Sequence, residues 1–363
     1  MGANDDKSEF RKLYESYILR KVIFIAICAV VAILLIGISI YIGGSDIEFT
    51  RVYGLLWDHI TGHKYEKGTI DFIDDYVVWK LRLPRALFAI FAGAGLAIGG
   101  AVMQSVMKNP LADPYTTGIS SGACFGMAIA IILGVEIGSG TVFADMGGIM
   151  NAFLFAVIPM MLIILLNRKV GTSPTTLILA GVAISYIFNS LTTVLMMMTD
   201  AETLASVYRW QVGSLGNNLS WNELPLMVTI NLIGSAILLL LSSKLNVLTL
   251  GDDSAKSLGM NADMMRVVCL FIISFMIASI VCYCGIIGFI GLVVPHIIRI
   301  LIDSDNKFVL PASMALGSVF LLSADIIARM LSPLDAIPVG VVLSFIGSPL
   351  FLYLIIRQKK EVW

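Results

Sequence analysis

Ten mostly apolar stretches of about 20 residues recur along the chain, at 22–42, 86–107, 117–135, 149–166, 176–198, 225–243, 266–284, 286–302, 310–330 and 338–356. A helix rises about 1.5 Å per residue, so each stretch suits the roughly 30 Å of a bilayer's hydrocarbon core. Only helices and closed barrels satisfy their backbone groups in lipid. The pattern therefore predicts an all-α, polytopic membrane bundle of about ten helices. The seventh and eighth stretches are parted only by Gly285 and its neighbours. Polar segments punctuate the rest: 1–21 at the start, a long acidic loop at 43–80, a hairpin-like region at 199–223, a polar stretch at 244–264 and a tail at 358–363. No low-complexity linker divides residues 22–357, which are expected to form a single transmembrane domain.

Composition agrees with lipid as the main solvent. Of 363 residues 58% are hydrophobic and 13% charged, where soluble domains carry about a quarter charged. Mean hydropathy is +0.91. A net charge of −1 gives nucleic acid nothing to bind. Basic residues collect on the cytoplasmic side of inserted helices. With both termini inside, sixteen lie there: Lys7, Arg11, Lys12, Arg20, Lys21, Lys108, Arg168, Lys169, Lys244, Lys256, Arg266, Arg299, Lys307, Arg357, Lys359 and Lys360. Eight remain outside: Arg51, Lys64, Lys67, Lys80, Arg82, Arg85, Arg209 and Arg329. This bias predicts a multi-pass protein of the cell (cytoplasmic) membrane with the 43–80 loop outside. No small-residue cleavage site follows the first apolar run, which is expected to stay as an anchor.

Cys28, Cys124, Cys269, Cys282 and Cys284 all fall in apolar stretches and are expected to pack rather than pair or bind metal. His59 and His63 stand four apart, a spacing open to a metal pair or to ordinary loop histidines. His296, beside Pro295, is expected to be structural. Met196, Met197 and Met198 point around a helix instead of converging, so they read as packing and lipid-facing surface.

The most informative run is Arg82-Leu83-Pro84-Arg85, then a helix with Gly93, Gly95, Gly99, Gly100 and Gln104, then Asn109-Pro110-Leu111-Ala112-Asp113-Pro114. Gly118 to Gly122 (GISSG), Leu250 to Gly259 (LGDDSAKSLG), Gly288 to Arg299 (GFIGLVVPHIIR), Ala324 to Arg329 (ADIIAR) and Pro338 to Phe351 (PVGVVLSFIGSPLF) follow. Together, over roughly residues 75–357, these motifs resemble the permeases of iron-siderophore, haem and cobalamin ABC importers, the FecCD family.

Arg82 and Arg85 share one helix face and serve either as interfacial anchors or as directed partners for carboxylates. The resemblance implies that Arg82, Arg85 and Arg329 dock a soluble substrate-binding protein. For Arg329 an internal pair with Asp325, four residues earlier, is the competing role. Asn109 and Leu111, in a proline-stopped turn, and Thr172 and Ser173 correspond to the family's cytoplasmic gate. Asp252 or Asp253 can cap a short helix that Gly259 ends. The resemblance makes Gly251, Asp252, Asp253, Ser254, Ala255, Lys256, Ser257, Leu258 and Gly259 the element that meets the ATPase.

The chain has no G-x-x-x-x-G-K-[ST] phosphate loop. It is expected to be a transport subunit and not an enzyme, with no catalytic, cofactor or metal site of its own. ATP and Mg would belong to a separate ATPase. The expected assembly is a homodimer of this chain with two ATP-binding subunits and an extracytoplasmic binding protein, carrying a metal chelate, in first place a ferric siderophore. Haem, cobalamin or oxyanion cargo is the alternative within the class. An ion-coupled secondary transporter, with Asp325 as its embedded acid, and a membrane enzyme built on the three histidines are the alternatives outside it.

Overall fold

A computed structural model describes residues 3–43, 47–63, 65–138, 147–170, 173–216, 219–332 and 337–357. The fold is all-α. Helix α1 (Ala3–Tyr41) leads to a hairpin of α2 (Phe49–Ile60) and α3 (Ile70–Asp75), then a π-helical turn (Tyr76–Arg82) that runs into α4 (Leu83–Met107). There follow a 3-10 turn (Pro114–Thr117), α5 (Ile119–Leu133), α6 (Gly147–Val170), α7 (Pro174–Met197), α8 (Ala201–Gln211), α9 (Leu224–Leu240) and α10 (Ser242–Thr249). The chain ends with α11 (Asp252–Ser257), α12 (Ala262–Cys284), α13 (Ile290–Leu301), α14 (Asn306–Leu331) and α15 (Val339–Arg357).

Among the described residues six helices are long and apolar enough to cross a membrane, and a seventh span arises if α9 and α10, bent by 58°, count as one. Helices α5, α13 and α15 are apolar but shorter. Each of the ten apolar stretches thus forms a helix, with differences at particular ends. The eighth begins at Ile290, not 286, because Gly285 (φ +68°) and Phe289 (φ +70°) break the backbone. Helices α5 and α13 cannot cover the hydrocarbon thickness alone, so irregular chain covers the remainder. Such chain is tolerated only where protein satisfies it. Here the Tyr115 hydroxyl donates to the Ile287 carbonyl (3.2 Å), and the Ser214 amide donates to the Cys284 carbonyl (2.8 Å).

Helix α4 is the axis of the bundle, buried along nearly its whole length between α9, α12, α13 and α14. Its glycines make this crowding feasible. A Cβ at Gly93 would lie 2.3 Å from the Gly317 carbonyl oxygen of α14, and one at Gly100 would lie 1.9 Å from that of Gly291 in α13. Small residues at such crossings let backbones meet where lipid supplies no hydrophobic drive. The GISSG motif works the same way, since a Cβ at Gly122 would sit 2.2 Å from the Phe155 carbonyl oxygen of α6. The polar loop at 43–80 is a folded hairpin with its own apolar cluster of Ile40, Ile47, Val52, Leu55 and Val78.

Because backbone cannot yield as a flexible side chain does, Gly100→Val is expected to cost about 1–3 kcal/mol or more of stability. Thermal unfolding in detergent should show it as a lowered Tm, while Gly54→Ala, at an open position, should leave Tm almost unchanged.

Candidate functional site

The charged groups of the bundle gather at the two ends of α4. At the end where the hairpin sits, α1 finishes with its last carbonyls unpaired within the helix, as every helix does. Two arginines take them. Arg82 donates to the carbonyls of Ile40 (2.9 Å) and Tyr41 (2.8 Å), and Arg329 donates to the carbonyls of Ser39 (2.8 Å) and Ile42 and to the Ser39 hydroxyl (2.6 Å). Cations at a helix C-terminus also complement its dipole. Asp325, fully buried, accepts from Arg85 Nε (3.0 Å) and pairs with Arg329 (2.9 Å), so three helices, α1, α4 and α14, are locked together.

The three arginines expected to dock a partner are therefore only 6%, 6% and 8% exposed, and all are engaged inside the chain. Of the two roles weighed for Arg329, the internal ion pair with Asp325 forms. The sequence showed the arginines but not the α1 carbonyls, which carry no side-chain signature.

At the opposite end lies α11. Lys108 ends α4 in a left-handed conformation (φ +48°) and reaches Asp252 at 2.8 Å. Arg266, fully buried in α12, grips the same carboxylate with both terminal nitrogens, at 3.0 and 2.5 Å, and its Nε donates to the Val106 carbonyl (3.4 Å). Bidentate pairs of this kind are strong and geometrically fixed. Arg266, then Lys108, holds the Asp252 carboxyl well below the usual carboxylate range.

The expectation that Asp252 or Asp253 caps the helix is thus corrected. Gly251 occupies the N-cap, where no side chain caps the helix, and Asp252 is spent as a tie between α4, α11 and α12. Gly259 (φ +77°) does end the helix. Asp253, Ser254, Lys256, Ser257, Leu258 and Gly259 are exposed, while Ala255 is buried as the anchor.

The remaining residues singled out in the sequence fall nearby. Asn109 turns the chain after α4, its side chain accepting from the Leu111 amide (2.9 Å), and Leu111 is exposed. Ser173 caps α7 through the Thr176 amide (3.2 Å) and is exposed. Thr172 lies outside the described residues. Arg299, counted among the basic residues of the cytoplasmic side, is buried and donates to the Ser105 hydroxyl (2.9 Å) and the Asn306 side-chain oxygen (3.3 Å).

His59 and His63 do not converge: His59 bonds Asp75 (3.1 Å) and stacks on Trp79, and His63 packs on Tyr65. His296 packs edge-on to Phe351. Met197 and Met198 are exposed, and all five cysteines are buried and free. Among the described residues no group of three metal-ligating side chains occurs. A cavity of about 640 Å³, missed by sequence reasoning, lies between the entry to α13 and α15, lined by Gly288, Gly340, Ser344, Phe345 and Ser348 among others.

The FecCD transport family model matches residues 30–357, which include both charged clusters and the glycine axis. The chain belongs to the FecCD transport family. It is an integral, multi-pass membrane protein and an ABC transporter permease. Among FecCD relatives, an Fe(3+)-citrate import permease of Bacillus subtilis is 36% identical over 94% of this chain and 97% of its own length. A molybdate import permease of Haemophilus influenzae is 33% identical over 89% and 92%. A solved metal-chelate type ABC transporter in an inward-facing conformation superposes with a TM-score of 0.78 at 31% identity, covering 92% of this chain and 99% of that one.

Removing one partner of a buried ion pair leaves the others uncompensated, at about 3–5 kcal/mol. Asp325→Ala is expected to lower stability by that order and to release α1, read as faster proteolysis between α1 and α4. Asp253→Ala, an exposed change, should do neither.

Proposed function

We propose that this permease forms the translocation pathway of an ATP-driven importer for a metal chelate, a ferric siderophore in first place, with haem, cobalamin or an oxyanion as alternatives in the same class. The observation that carries the reading is the α11 surface: an exposed short helix whose half-buried Asp252 carboxylate ties it straight to the end of α4 and to the buried Arg266 of α12. It is the right size and exposure to seat in a groove of a separate ATPase, which would bind ATP and Mg. In this reading the α11 end and both termini face the cytoplasm, the hairpin end faces outward, and the protein resides in the cell membrane.

Two copies would enclose the cargo, with α15 and its mainly apolar cavity, where Gly288, Gly340, Ser344 and Ser348 stand among Val212, Ile286 and Phe345, facing the path. Such a lining grips a bulky chelate weakly, as a conduit should. Asn109, Leu111, Thr172 and Ser173 would form the cytoplasmic constriction. A binding protein would dock at the hairpin end, its carboxylates competing with the α1 carbonyls for Arg82 and Arg329 and with Asp325 for Arg85. Docking would then free the end of α1, giving the outer partner differential grip on two states. Asp325 is bound by two arginines, so it is not placed as the free acid of an ion-driven carrier.

Proteoliposomes holding this chain, its ATPase and its binding protein should accumulate one member of a panel of ferric siderophores, haem, cobalamin and molybdate. Accumulation should require ATP and survive an ionophore. Uptake that ignores ATP and collapses with the ionophore would contradict the proposal.

A further inference from the structure

The hairpin helix α2 carries a wide apolar arc, and only half of it is used in packing. Val52 and Leu55 are fully buried against Ile40, Ile47 and Val78. Phe49, Tyr53, Trp57 and Ile60, spaced 4, 4 and 3 residues apart on the adjoining face, are 53%, 40%, 66% and 69% exposed. Thr50, Arg51 and Asp58 occupy the remaining arc, where Arg51 pairs with Asp71 and Asp58 accepts from the Tyr65 hydroxyl (2.5 Å). A bare aromatic stripe of this kind on a soluble-side hairpin calls for an occupant.

Its surroundings identify that occupant. Val30, Leu34, Ile38 and Tyr41 form an exposed strip down α1, whose apolar part from Val22 to Tyr41 is about 20 residues, the length that exhausts the hydrocarbon core at Tyr41. The α1 strip does not stop there. The Tyr41 ring meets Phe49 edge-on at 5.5 Å, and Phe49 meets Tyr53 at 4.9 Å, so one apolar surface turns from α1 onto α2. Tyr53 leans back along α1: a Cβ at Gly37, one turn below Tyr41, would lie 2.5 Å from its hydroxyl oxygen. The stripe therefore points toward the bilayer edge. Tyr and Trp are the residues that favour that depth, with an apolar body and a polar tip.

We propose that α2 is an interfacial helix that lies on a phospholipid bilayer at the hairpin end, with Phe49, Tyr53, Trp57 and Ile60 seated where headgroups meet acyl chains. The occupant is lipid, continuous with the surface that α1 already gives to lipid. Its role is to fix the height of the hairpin, and so of the arginines that hold the end of α1, at the membrane boundary. The polar arc carries Arg51 and Asp58 together, so a zwitterionic lipid suffices. The inference rests on membrane insertion and not on cargo or on the ATPase.

The full chain in phosphatidylcholine nanodiscs tests it. Because the native cysteines are buried, nitroxides can be placed at Tyr53→Cys, Trp57→Cys and Ile60→Cys, with Gly54→Cys, an open position beside Asp58 on the polar arc, as the control. Oxygen and nickel-chelate accessibility should place the first three about 5–10 Å into the headgroup and acyl boundary and leave the fourth in water. Bromination of the lipid near that depth should quench a component of the tryptophan emission that Trp57→Phe removes. Water-like accessibility at 53, 57 and 60 would overturn the proposal. So would protection that appears only with the binding protein added, or only at protein densities where the labels broaden one another, since a partner or a second copy would then be the occupant.

Discussion

Backbone contact across the glycines of α4 is what the rest of the structure depends on. At Gly93 and Gly100 the neighbouring helices come so near that no side chain fits between them. In lipid, association cannot draw on the hydrophobic effect and must come from close packing and polar links. Once α4 is held this tightly, its two ends become fixed points. The hairpin end places Arg85 on Asp325, and the other end places Lys108 on Asp252. Both clusters satisfy groups that would be costly alone: the last carbonyls of α1 in one case, the buried Arg266 in the other.

That arrangement gives the permease a mechanical logic. A helix packed on four sides behaves as a stiff rod, so displacement of α11 by an ATPase need not be absorbed locally. The tie through Asp252 is bidentate to Arg266 and single to Lys108, which makes α4 and α12 move with α11 or not at all. The turn after α4, with Asn109 and Leu111, hangs from the same fixed point. Motion at the surface proposed to meet the ATPase would thus have a direct route to the proposed constriction through this chain of contacts.

Much of the fold was legible in the sequence. Lipid demands helices of a fixed length, and each of the ten apolar stretches forms a helix, although among the described residues only six, or seven with the bent pair, are long enough to cross. Where the stretches misled, tertiary contacts had intervened. Helix α13 starts late because Gly285 and Phe289 take positive φ, Gly285 where it passes Trp210 and Gly213 and Phe289 where it packs on Gly347. The motif arginines were visible, but Arg82 and Arg329 also hold backbone carbonyls about 40 and 290 residues away in sequence, which no side-chain pattern announces. Asp252 looked like a helix cap because its position suited one. The structure uses it as an ion-pair hub because Arg266 is fully buried and needs a counter-charge.

The measurement closest to the centre of this account is the number of cargo molecules imported per ATP hydrolysed by the assembled transporter when Asp252 becomes Asn. A lost charge-assisted pair weakens the tie by roughly 1.5–3 kcal/mol, so imported cargo per ATP should fall about tenfold or more while hydrolysis continues. An unchanged ratio, in a complex that still assembles, would mean that α11 drives the pathway by some route other than α4 and α12.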